Sequence, residues 1–160
     1  MNNIHSFEPI INANSNVLIL GTLPGPQSLS MNQYYAHPQN QFWKIIYHLF
    51  GREKVDSTYE DKIRFVLEHR IAIWDIFHTA DRKGALDSNI KNVVVNDITG
   101  LLEKYTNIKR ILLSGRTAEK AFLSKFPSVP VSAIYVPSPS PAHTKPLNEK
   151  IQLWREALQK

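Results

Sequence analysis

The chain has 160 residues, of which 42% are apolar and 21% are charged, a composition typical of a globular protein. It contains no cysteine, which excludes disulfide bonds, thiolate zinc sites and cysteine-ligated iron–sulfur clusters. No apolar run approaches the roughly 20 residues that span a bilayer, and the N-terminus lacks a signal-peptide layout. We therefore expect an intracellular, cytoplasmic protein with one domain over residues 1–160.

The net charge of +5 is unevenly distributed along the chain. Residues 1–80 carry 6 Lys/Arg and 7 Asp/Glu, whereas residues 81–160 carry 13 and 7. A basic half favours a polyanionic partner such as nucleic acid, because each neutralised phosphate releases counterions. A solvated surface whose charge serves solubility explains the charge alone equally well.

Apolar runs typical of strands alternate with helical patterns along the chain. The strand runs are rich in Ile, Leu and Val without strict alternation, which is typical of strands covered on both faces. The helical patterns place apolar residues at i, i+3, i+4 and i+7. In chain order, the predicted elements are a strand at 16–21, a helix at 41–50, a helix around Ile63–Leu67, a strand at 71–75, a helix from Ile98 to Tyr105, a strand at 109–115, a helix around Ala118–Phe122, a strand at 132–136 and a helix from Leu147 to Leu158.

This alternation predicts an α/β fold, a three-layer α/β/α sandwich with a four-stranded parallel sheet. In such a sheet, ligands bind outside the carboxyl ends of the strands. Each unusual loop of the chain follows one of the four strands, so we expect all four loops to open on one rim. These loops are GTLPGPQSL, WDIFHTADRKGALDS, SGRTAEK and PSPSPAHTK.

The first loop continues into an aromatic and amide-rich segment, YYAHPQNQFW. The preceding GTLPG turn is not a phosphate-binding Walker loop, because no Gly-Lys-Ser/Thr follows it. Tyr34 and Tyr35 are predicted to lie on the rim as flat surfaces on which a planar ring can stack. Asn40 either places its carboxamide at the mouth of a site or caps the following helix.

The fourth loop combines three prolines with hydroxyl groups, a histidine and a lysine just before the last helix. Prolines keep such a loop extended, so that little entropy is lost when it closes on a ligand. The hydroxyls of Ser138 and Ser140 suit phosphate oxygens. A rigid connector without a binding role is the alternative.

These motifs together resemble the uracil-DNA glycosylase superfamily. The segment GTLPG…YYAHPQNQFW, together with IAIWDIF…RKGALDSNI and SPSPA, is most similar to the hypoxanthine-DNA glycosylase branch, with the mismatch-specific uracil/thymine-DNA glycosylases as near relatives. The resemblance implies a monofunctional enzyme that hydrolyses the N-glycosidic bond of a deaminated base, hypoxanthine or uracil, and initiates base-excision repair. The partner is double- or single-stranded DNA, the damaged nucleotide is flipped into the pocket, and the enzyme is a monomer without cofactor or metal.

Two positions depart from the superfamily pattern. Mismatch-specific members have an Asn in the first motif to hold the attacking water, and other branches use Asp or Glu, where this chain has Leu23. The resemblance to the hypoxanthine branch therefore implies Asn40 as the catalytic residue, which orients the water. The SPSPAH motif lacks the leading His that stabilises the departing base in some branches, and His143, several residues later, either replaces it or contacts a phosphate.

The resemblance and the chemistry together assign two further groups of residues. Tyr35 is expected to stack on the flipped base, main-chain groups of residues 22–25 to contact its edge, and residues 141–145 to enter the gap in the duplex. The predicted substrate-binding residues are Gly21, Thr22, Leu23, Pro24, Gly25, Tyr35, His37 and Asp75, the last with capping of a turn as its alternative role. The predicted DNA-binding residues are Ser114, Arg116, Ser138, Ser140, Pro141, Ala142, His143 and Lys145.

Three alternative functions remain open from the sequence. A Ser-His-Asp hydrolase needs Ser114, His143 and Asp75 to meet, but Ser114 lacks the Gly-x-Ser-x-Gly elbow. A nucleic-acid-binding protein of the same fold without activity is compatible with Leu23 and with the altered second motif. A hydrolase of free nucleosides is compatible with the motifs but leaves the basic half unexplained. The remaining histidines show no HExxH or paired spacing, so no metal is predicted.

Overall fold

The structure is a computed structural model, and it describes residues 3–160. Seven strands, six α-helices and a short 3₁₀ helix at Asp87–Asn89 occur in this part of the chain. In chain order they are β1 (Asn3–His5), β2 (Val17–Gly21), α1 (Pro26–Met31), α2 (Phe42–Leu49), α3 (Tyr59–Glu68), β3 (Ile71–Asp75), β4 (Phe77–Arg82), β5 (Ile90–Val95), α4 (Ile98–Lys104), β6 (Arg110–Ser114), α5 (Arg116–Lys125), β7 (Ser132–Val136) and α6 (Leu147–Gln159).

The central sheet consists of β2, β3, β6 and β7, which are all parallel and lie in the order β3-β2-β6-β7. In the register of this sheet Gly21 pairs with Asp75, and Ser114 pairs with Val136. The last residues of the four strands therefore lie side by side at one edge. This edge positions the loops that form the site.

Both faces of the central sheet are covered, as the continuous apolar runs predicted. On one face, α2, α3 and α6 bury large side chains such as Phe42, Phe65 and Trp154. On the other face, α4 and α5 contribute Ile98 and Phe122 to a second cluster. The expected α/β/α sandwich with a four-stranded parallel sheet is confirmed.

A second sheet was not predicted from the sequence. It is antiparallel, with strand order β1-β4-β5, and it packs beside α4 and α5. The expectation that the whole segment from Trp74 to Ser88 forms a loop is wrong, because Phe77–Arg82 is a strand. In this strand Phe77, Ala80 and Arg82 are buried while intervening residues are not, and a buried arginine conceals the apolar signal.

The predicted helices lie close to their expected bounds, and α2 begins at Phe42, where its N-terminal turn is fixed by Asn40. The short helix α1 follows the glycine turn and was not predicted. No helix within residues 3–160 is both long and apolar enough to cross a membrane.

Candidate active site

The carboxyl ends of the four central strands open into one cavity of about 480 Å³. A volume in this range is typical of small-molecule sites. Residues from all four predicted loop segments line it, although the third segment contributes only Ser114, the last residue of β6. The lining residues are 21–28, Tyr34, Tyr35, His37, Asn40, Asp75, Arg82, 85–88, Ser114 and 138–143.

Most of the predicted site residues lie in this cavity. Asn40 and all eight predicted substrate-binding residues line it, as do six of the eight predicted DNA-binding residues. The two that do not are Arg116 and Lys145, which are both exposed outside it. Arg116 forms an ion pair with Glu119 at 2.8 Å, and its guanidinium carbon lies 3.5 Å from the ring centre of Tyr135.

One wall of the cavity, which we call the acidic wall, contains Asp75, Asp87, Arg82 and Thr22. Asp75 ends β3 and is only 5% exposed. Its Oδ2 atom is buried and has no hydrogen-bond partner among residues 3–160. Burial, followed by repulsion from Asp87, raises the pKa of Asp75 to about 7, although Arg82 opposes the change. Asp75 is therefore a mixture of acid and carboxylate near neutral pH.

Hydrogen bonds of the other three residues fix the geometry of the acidic wall. Thr22 donates a hydrogen bond from Oγ1 to Oδ1 of Asp87 at 2.9 Å. Arg82 is 3% exposed and donates from Nε to the carbonyl of Gly84 and from Nη2 to the carbonyl of Pro24, both at 2.9 Å. Arg82 thereby joins the β4–β5 loop to the glycine turn after β2.

Sequence reasoning missed Arg82 and Asp87, although both lie in the segment that resembles the superfamily. Ala80 and Arg82 are both buried and lie two positions apart, so a strand with Ala80 facing inward would also have turned Arg82 inward; Phe77 does not fit this alternation, because the register of β4 shifts after it. Asp87 carries no comparable signal, because its contact with Thr22 joins residues that are 65 positions apart.

The floor of the cavity is formed where Gly21, Asp75 and Tyr35 approach one another. A Cβ atom added to Gly21 would lie 2.8 Å from Oδ1 of Asp75 and 3.1 Å from the hydroxyl of Tyr35. The glycine is therefore required here by close approach. The Tyr35 hydroxyl is buried without a partner in the described part of the chain, and one face of its ring stacks on Phe42 at 3.8 Å.

Tyr34 does not have the predicted position on the rim. It is 4% exposed, and its hydroxyl donates to the carbonyl of Glu8 at 2.8 Å. Its main-chain N–H donates to the hydroxyl of Tyr59 at 3.0 Å. Tyr34 therefore anchors the loop to the core, and the expectation that it offers an exposed stacking surface is wrong.

Asn40 lies at the mouth of the cavity and also fixes the start of α2. Its Oδ1 atom accepts a hydrogen bond from the main-chain N–H of Phe42 at 2.9 Å. The N-cap of α2 is Gln41, so Asn40 does not cap the helix; its contact with Phe42 is a local Asx turn just before the helix. An amide oxygen accepts two hydrogen bonds, so this contact leaves capacity for a ligand.

The opposite wall is the Ser-Pro loop, residues 138–143. The Ser138 hydroxyl oxygen accepts from the N–H of Ser140 at 3.1 Å, and the Ser140 hydroxyl oxygen accepts from the N–H of Ala142 at 3.2 Å. Because both oxygens act as acceptors, each hydroxyl proton stays available for donation to a ligand. The carbonyl of Pro139 accepts from the N–H of Gln41, which connects this loop to the start of α2.

Lys150 of α6 is fully buried beneath the Ser-Pro loop. Its Nζ atom donates to the carbonyl of His143 at 2.8 Å and more weakly to that of Ser140 at 3.4 Å. Burial lowers the pKa of Lys150. Sequence reasoning missed this residue, because a lysine in an amphipathic helix is usually solvent-exposed.

His143 is the last residue of the Ser-Pro loop, and its Nδ1 atom is buried without a hydrogen-bond partner within residues 3–160. Burial, with added repulsion from Lys150 and Lys145, lowers the pKa of His143, which favours the neutral imidazole. The Ser114-His143-Asp75 arrangement is not assembled, because both Nδ1 of His143 and Oδ2 of Asp75 lack a hydrogen-bond partner in the described chain.

Comparison with known proteins identifies relatives of this chain. A hypoxanthine DNA glycosylase from Methanosarcina acetivorans is 37% identical over 112 residues, which are 70% of this chain and 71% of that protein. A hypoxanthine DNA glycosylase from Methanosarcina barkeri is 34% identical over 110 residues, which are 69% of this chain and 70% of that protein.

The fold is also similar to a solved structure. The solution NMR structure of a candidate uracil DNA glycosylase from M. acetivorans superimposes with a TM-score of 0.87 at 29% identity, covering 99% of this chain and 98% of that one. The family model of the uracil DNA glycosylase superfamily matches residues 8–160. The chain therefore belongs to the uracil DNA glycosylase superfamily.

Proposed function

We propose that this protein excises a deaminated base, hypoxanthine or uracil, from DNA by hydrolysing its N-glycosidic bond, which initiates base-excision repair. The enzyme class, a DNA glycosylase acting on a deaminated base, is confirmed by the superfamily and by the two relatives named hypoxanthine DNA glycosylase. The assignment of the base and of the residue roles is our proposal. The observation that carries it is the unpartnered Oδ2 atom of Asp75 at the floor of the cavity.

An unpartnered buried polar atom costs about 1–3 kcal/mol, so a ligand that satisfies Asp75 gains this energy on binding. Hypoxanthine and uracil both present a carbonyl group beside a ring N–H. The acid form of a carboxyl group has a matching donor and acceptor, and it pairs with such an edge through two hydrogen bonds. A pKa of about 7 keeps a large share of Asp75 in this form at neutral pH.

The surrounding groups hold the rest of the nucleotide. One face of the Tyr35 ring is covered by Phe42, which leaves the opposite face and the hydroxyl for the flipped base. Main-chain groups of residues 22–25 contact the base edge. The hydroxyls of Ser138 and Ser140 donate to phosphate, while Arg116 and Lys145, outside the cavity, contact flanking phosphates.

Cleavage passes through a sugar cation and a base anion, so the reaction needs an oriented water molecule and donors for the departing base. Asn40 orients the water through the free acceptor capacity of its Oδ1 atom, without acting as a strong base. A neutral His143 can donate one N–H, either to the departing base or to a phosphate. No step in this scheme uses a metal or another cofactor.

The organisation of the molecule is part of the same proposal. One glycosylase domain extends over residues 1–160, which the family match over residues 8–160 supports. The enzyme acts as a monomer. Because its substrate is DNA, it works inside the cell, and we propose the cytoplasm.

The test is cleavage of labelled duplexes that carry deoxyinosine, deoxyuridine or a mismatched thymine, followed by alkali to break abasic sites. We expect cleavage at deoxyinosine or deoxyuridine. The variant Asn40→Ala should lower the rate by roughly 10² to 10⁴, the usual cost of losing a positioned catalytic group.

Asn40→Ser is the matched control, because a serine hydroxyl can also accept from the main-chain N–H two residues later, but its shorter side chain does not reach as far into the cavity. It should restore part of the stability that Asn40→Ala loses, without restoring the rate. Full activity of Asn40→Ala would exclude its role in positioning water. Salt-sensitive duplex binding without cleavage would instead indicate an inactive binding protein, and cleavage of free nucleosides alone would indicate a nucleoside hydrolase.

A further inference from the structure

We propose that Asp87 is a catalytic residue, a carboxylate that faces the deoxyribose and stabilises the positive charge that forms on the sugar as the glycosidic bond breaks. This inference rests on the proposed function. It gives a chemical role to the 3₁₀ helix between β4 and β5, which begins at Asp87 and was not predicted from the sequence. The position of Asp87 in the cavity and its free charge support this role.

Asp87 is fixed by a contact between two segments that are far apart in the sequence. Its Oδ1 atom accepts a hydrogen bond from Oγ1 of Thr22 at 2.9 Å, across 65 positions of the chain. Thr22 lies in the glycine turn after β2, is 8% exposed and also lines the cavity. The hydrogen bond therefore holds a carboxyl group beside the turn that contains Leu23, whose own side chain carries no charge.

The charge of Asp87 is not cancelled by an ion pair. Within residues 3–160 no ion pair includes Asp87, and its Oδ2 atom makes no hydrogen bond. Arg82, the cation of the acidic wall, donates instead to the carbonyls of Gly84 and Pro24. Partial burial raises the pKa of the Asp87 carboxyl group, whereas the Thr22 hydrogen bond and the Arg82 charge oppose this rise and favour the ionised form.

Asp87 lies at a different depth in the cavity from Asp75. Asp75 is 5% exposed and belongs to the floor, where the proposed function places the base. Asp87 lines the same cavity but is an exposed residue, so it lies nearer to the mouth. A nucleotide whose base occupies the floor has its sugar between the base and the mouth, which is the depth of Asp87.

A carboxylate in this position repels the phosphates of DNA, so it opposes substrate binding. The reaction itself supplies the positive charge that suits it. When the glycosidic bond breaks, the bonding electron pair leaves with the base as an anion and the sugar becomes a cation. The oxygen of water then bonds to the sugar carbon, and one water proton passes to the base. A fixed negative charge stabilises the cation more than the neutral sugar, and this difference lowers the barrier.

Asp87→Asn separates these two effects of the charge. The amide oxygen of asparagine can still accept from Thr22, while the negative charge is lost. On duplex DNA that carries deoxyinosine, we expect the single-turnover rate constant at saturating enzyme to fall about tenfold or more. The duplex should be bound at least as tightly as by the wild type, because a repulsive charge has been removed.

Asp81→Asn is the matched control, because it changes the net charge of the protein by the same amount. Asp81 lies on β4, accepts a hydrogen bond from Asn92 at 2.9 Å and does not line the cavity. Its rate constant should equal that of the wild type. A parallel loss of rate and duplex affinity in Asp87→Asn would indicate a structural role, and an unchanged rate constant would exclude any role; either result overturns the assignment.

A second measurement detects the charge without cleavage. The probes are two duplexes that contain an abasic-site analogue, one with a cationic pyrrolidine ring and the other with a neutral tetrahydrofuran ring. The wild type should bind the pyrrolidine duplex about tenfold or more tightly than the tetrahydrofuran duplex. Asp87→Asn should lose most of this preference, whereas Asp87→Glu, which keeps the charge, and Asp81→Asn should retain it.

The same preference in Asp87→Asn and the wild type would overturn the assignment of Asp87. A wild type that cleaves neither deoxyinosine nor deoxyuridine would reject the proposed function by itself. The two failures are distinguishable, because the analogue duplexes contain no base and their binding requires no turnover.

Discussion

The acidic wall and the Ser-Pro loop face each other across the cavity but differ in charge. The acidic wall carries the carboxyl groups of Asp75 and Asp87, whereas the Ser-Pro loop presents hydroxyl protons and a neutral imidazole above a buried lysine. A phosphate is repelled by carboxylates, whereas hydroxyl groups donate hydrogen bonds to its oxygens. We therefore propose that the difference orients a bound nucleotide, with its base towards the acidic wall and its backbone towards the Ser-Pro loop.

The two walls also differ in how they are held. Asp75 is placed by sheet register, since it pairs with Gly21 in the adjacent strand. The Ser-Pro loop depends on side-chain contacts from a distant helix, in particular the hydrogen bonds of Lys150. We therefore expect the acidic wall to tolerate an added side-chain atom less well. We expect the Ser-Pro loop to become mobile more easily when a contact is removed.

Among the changes that test the contrast between the two walls, the largest effect is expected for Gly21→Ala, which tests the tight packing around the acidic wall. The added Cβ would displace Asp75 and Tyr35, because it would lie 2.8 Å and 3.1 Å from their oxygens. Misplacement of about 1 Å in an active site can cost about 10² in rate, and we expect a loss of kcat/KM on deoxyinosine DNA of that order. Steady-state kinetics measure it.

Gly25→Ala is the matched variant in the same turn. No atom lies within 4 Å of a Cβ added there, so its loss of kcat/KM should be far smaller than that of Gly21→Ala. Equal losses for the two variants would show that the close approach at Gly21 has no special importance, and that the acidic wall is not the more rigid of the two.

A smaller effect is expected for Lys150→Met, which removes the ammonium group beneath the Ser-Pro loop while keeping most of the volume. Hydrogen bonds from a charged donor contribute about 1.5–3 kcal/mol, so we expect roughly a tenfold fall in kcat/KM. Hydrogen exchange should also accelerate at residues 140–143, while residues 21–25 keep their protection.

Lys120→Met serves as control, because Lys120 is an exposed lysine on α5. It should change neither kcat/KM nor hydrogen exchange in the Ser-Pro loop. If exchange at residues 140–143 is the same in Lys150→Met and the wild type, the buried lysine does not hold this wall, and the contrast between the walls has another origin.

The smallest effect on activity near neutral pH is expected for Asp75→Asn, because a carboxamide also offers one donor side and one acceptor side to the base. The effect of the substitution should instead appear in the pH dependence of kcat/KM. The acid form of Asp75 predominates below its pKa of about 7, so kcat/KM of the wild type should fall as pH rises through 7. The Asn variant should lack this fall.

Stability provides an independent measurement of the same group. The pKa of Asp75 is higher in the folded chain than its ordinary value of about 3.9, so its favourable contribution to folding is complete below about pH 4 and is lost as pH rises to about 7. The Asp75→Asn variant should therefore gain a few kcal/mol relative to the wild type between pH 4 and pH 8. Parallel denaturation midpoints across that range would contradict the burial of an ionisable group here.

Much of the central fold could be predicted because its signals are local. The runs at 71–75 and 132–136 are mostly apolar and match their strands, and the stripe over 41–50 matches α2. The position of the site could be predicted from the same pattern, because loops that follow parallel strands meet at one edge of the sheet. The antiparallel sheet did not follow, since residues 3–5 pair with residues 79–81 far along the chain.

The sequence by itself determined the α/β architecture, the edge at which the site lies and the motifs that place the chain in its superfamily. Only the tertiary structure decided that Tyr34 belongs to the core, that Arg82 and Lys150 are buried, and that Asp87 contacts Thr22. The physical reason is that periodicity is a property of neighbouring residues. Whether a charge or a hydroxyl can be buried depends on partners such as the carbonyls of Glu8, Pro24 and His143, which the chain supplies only after it folds.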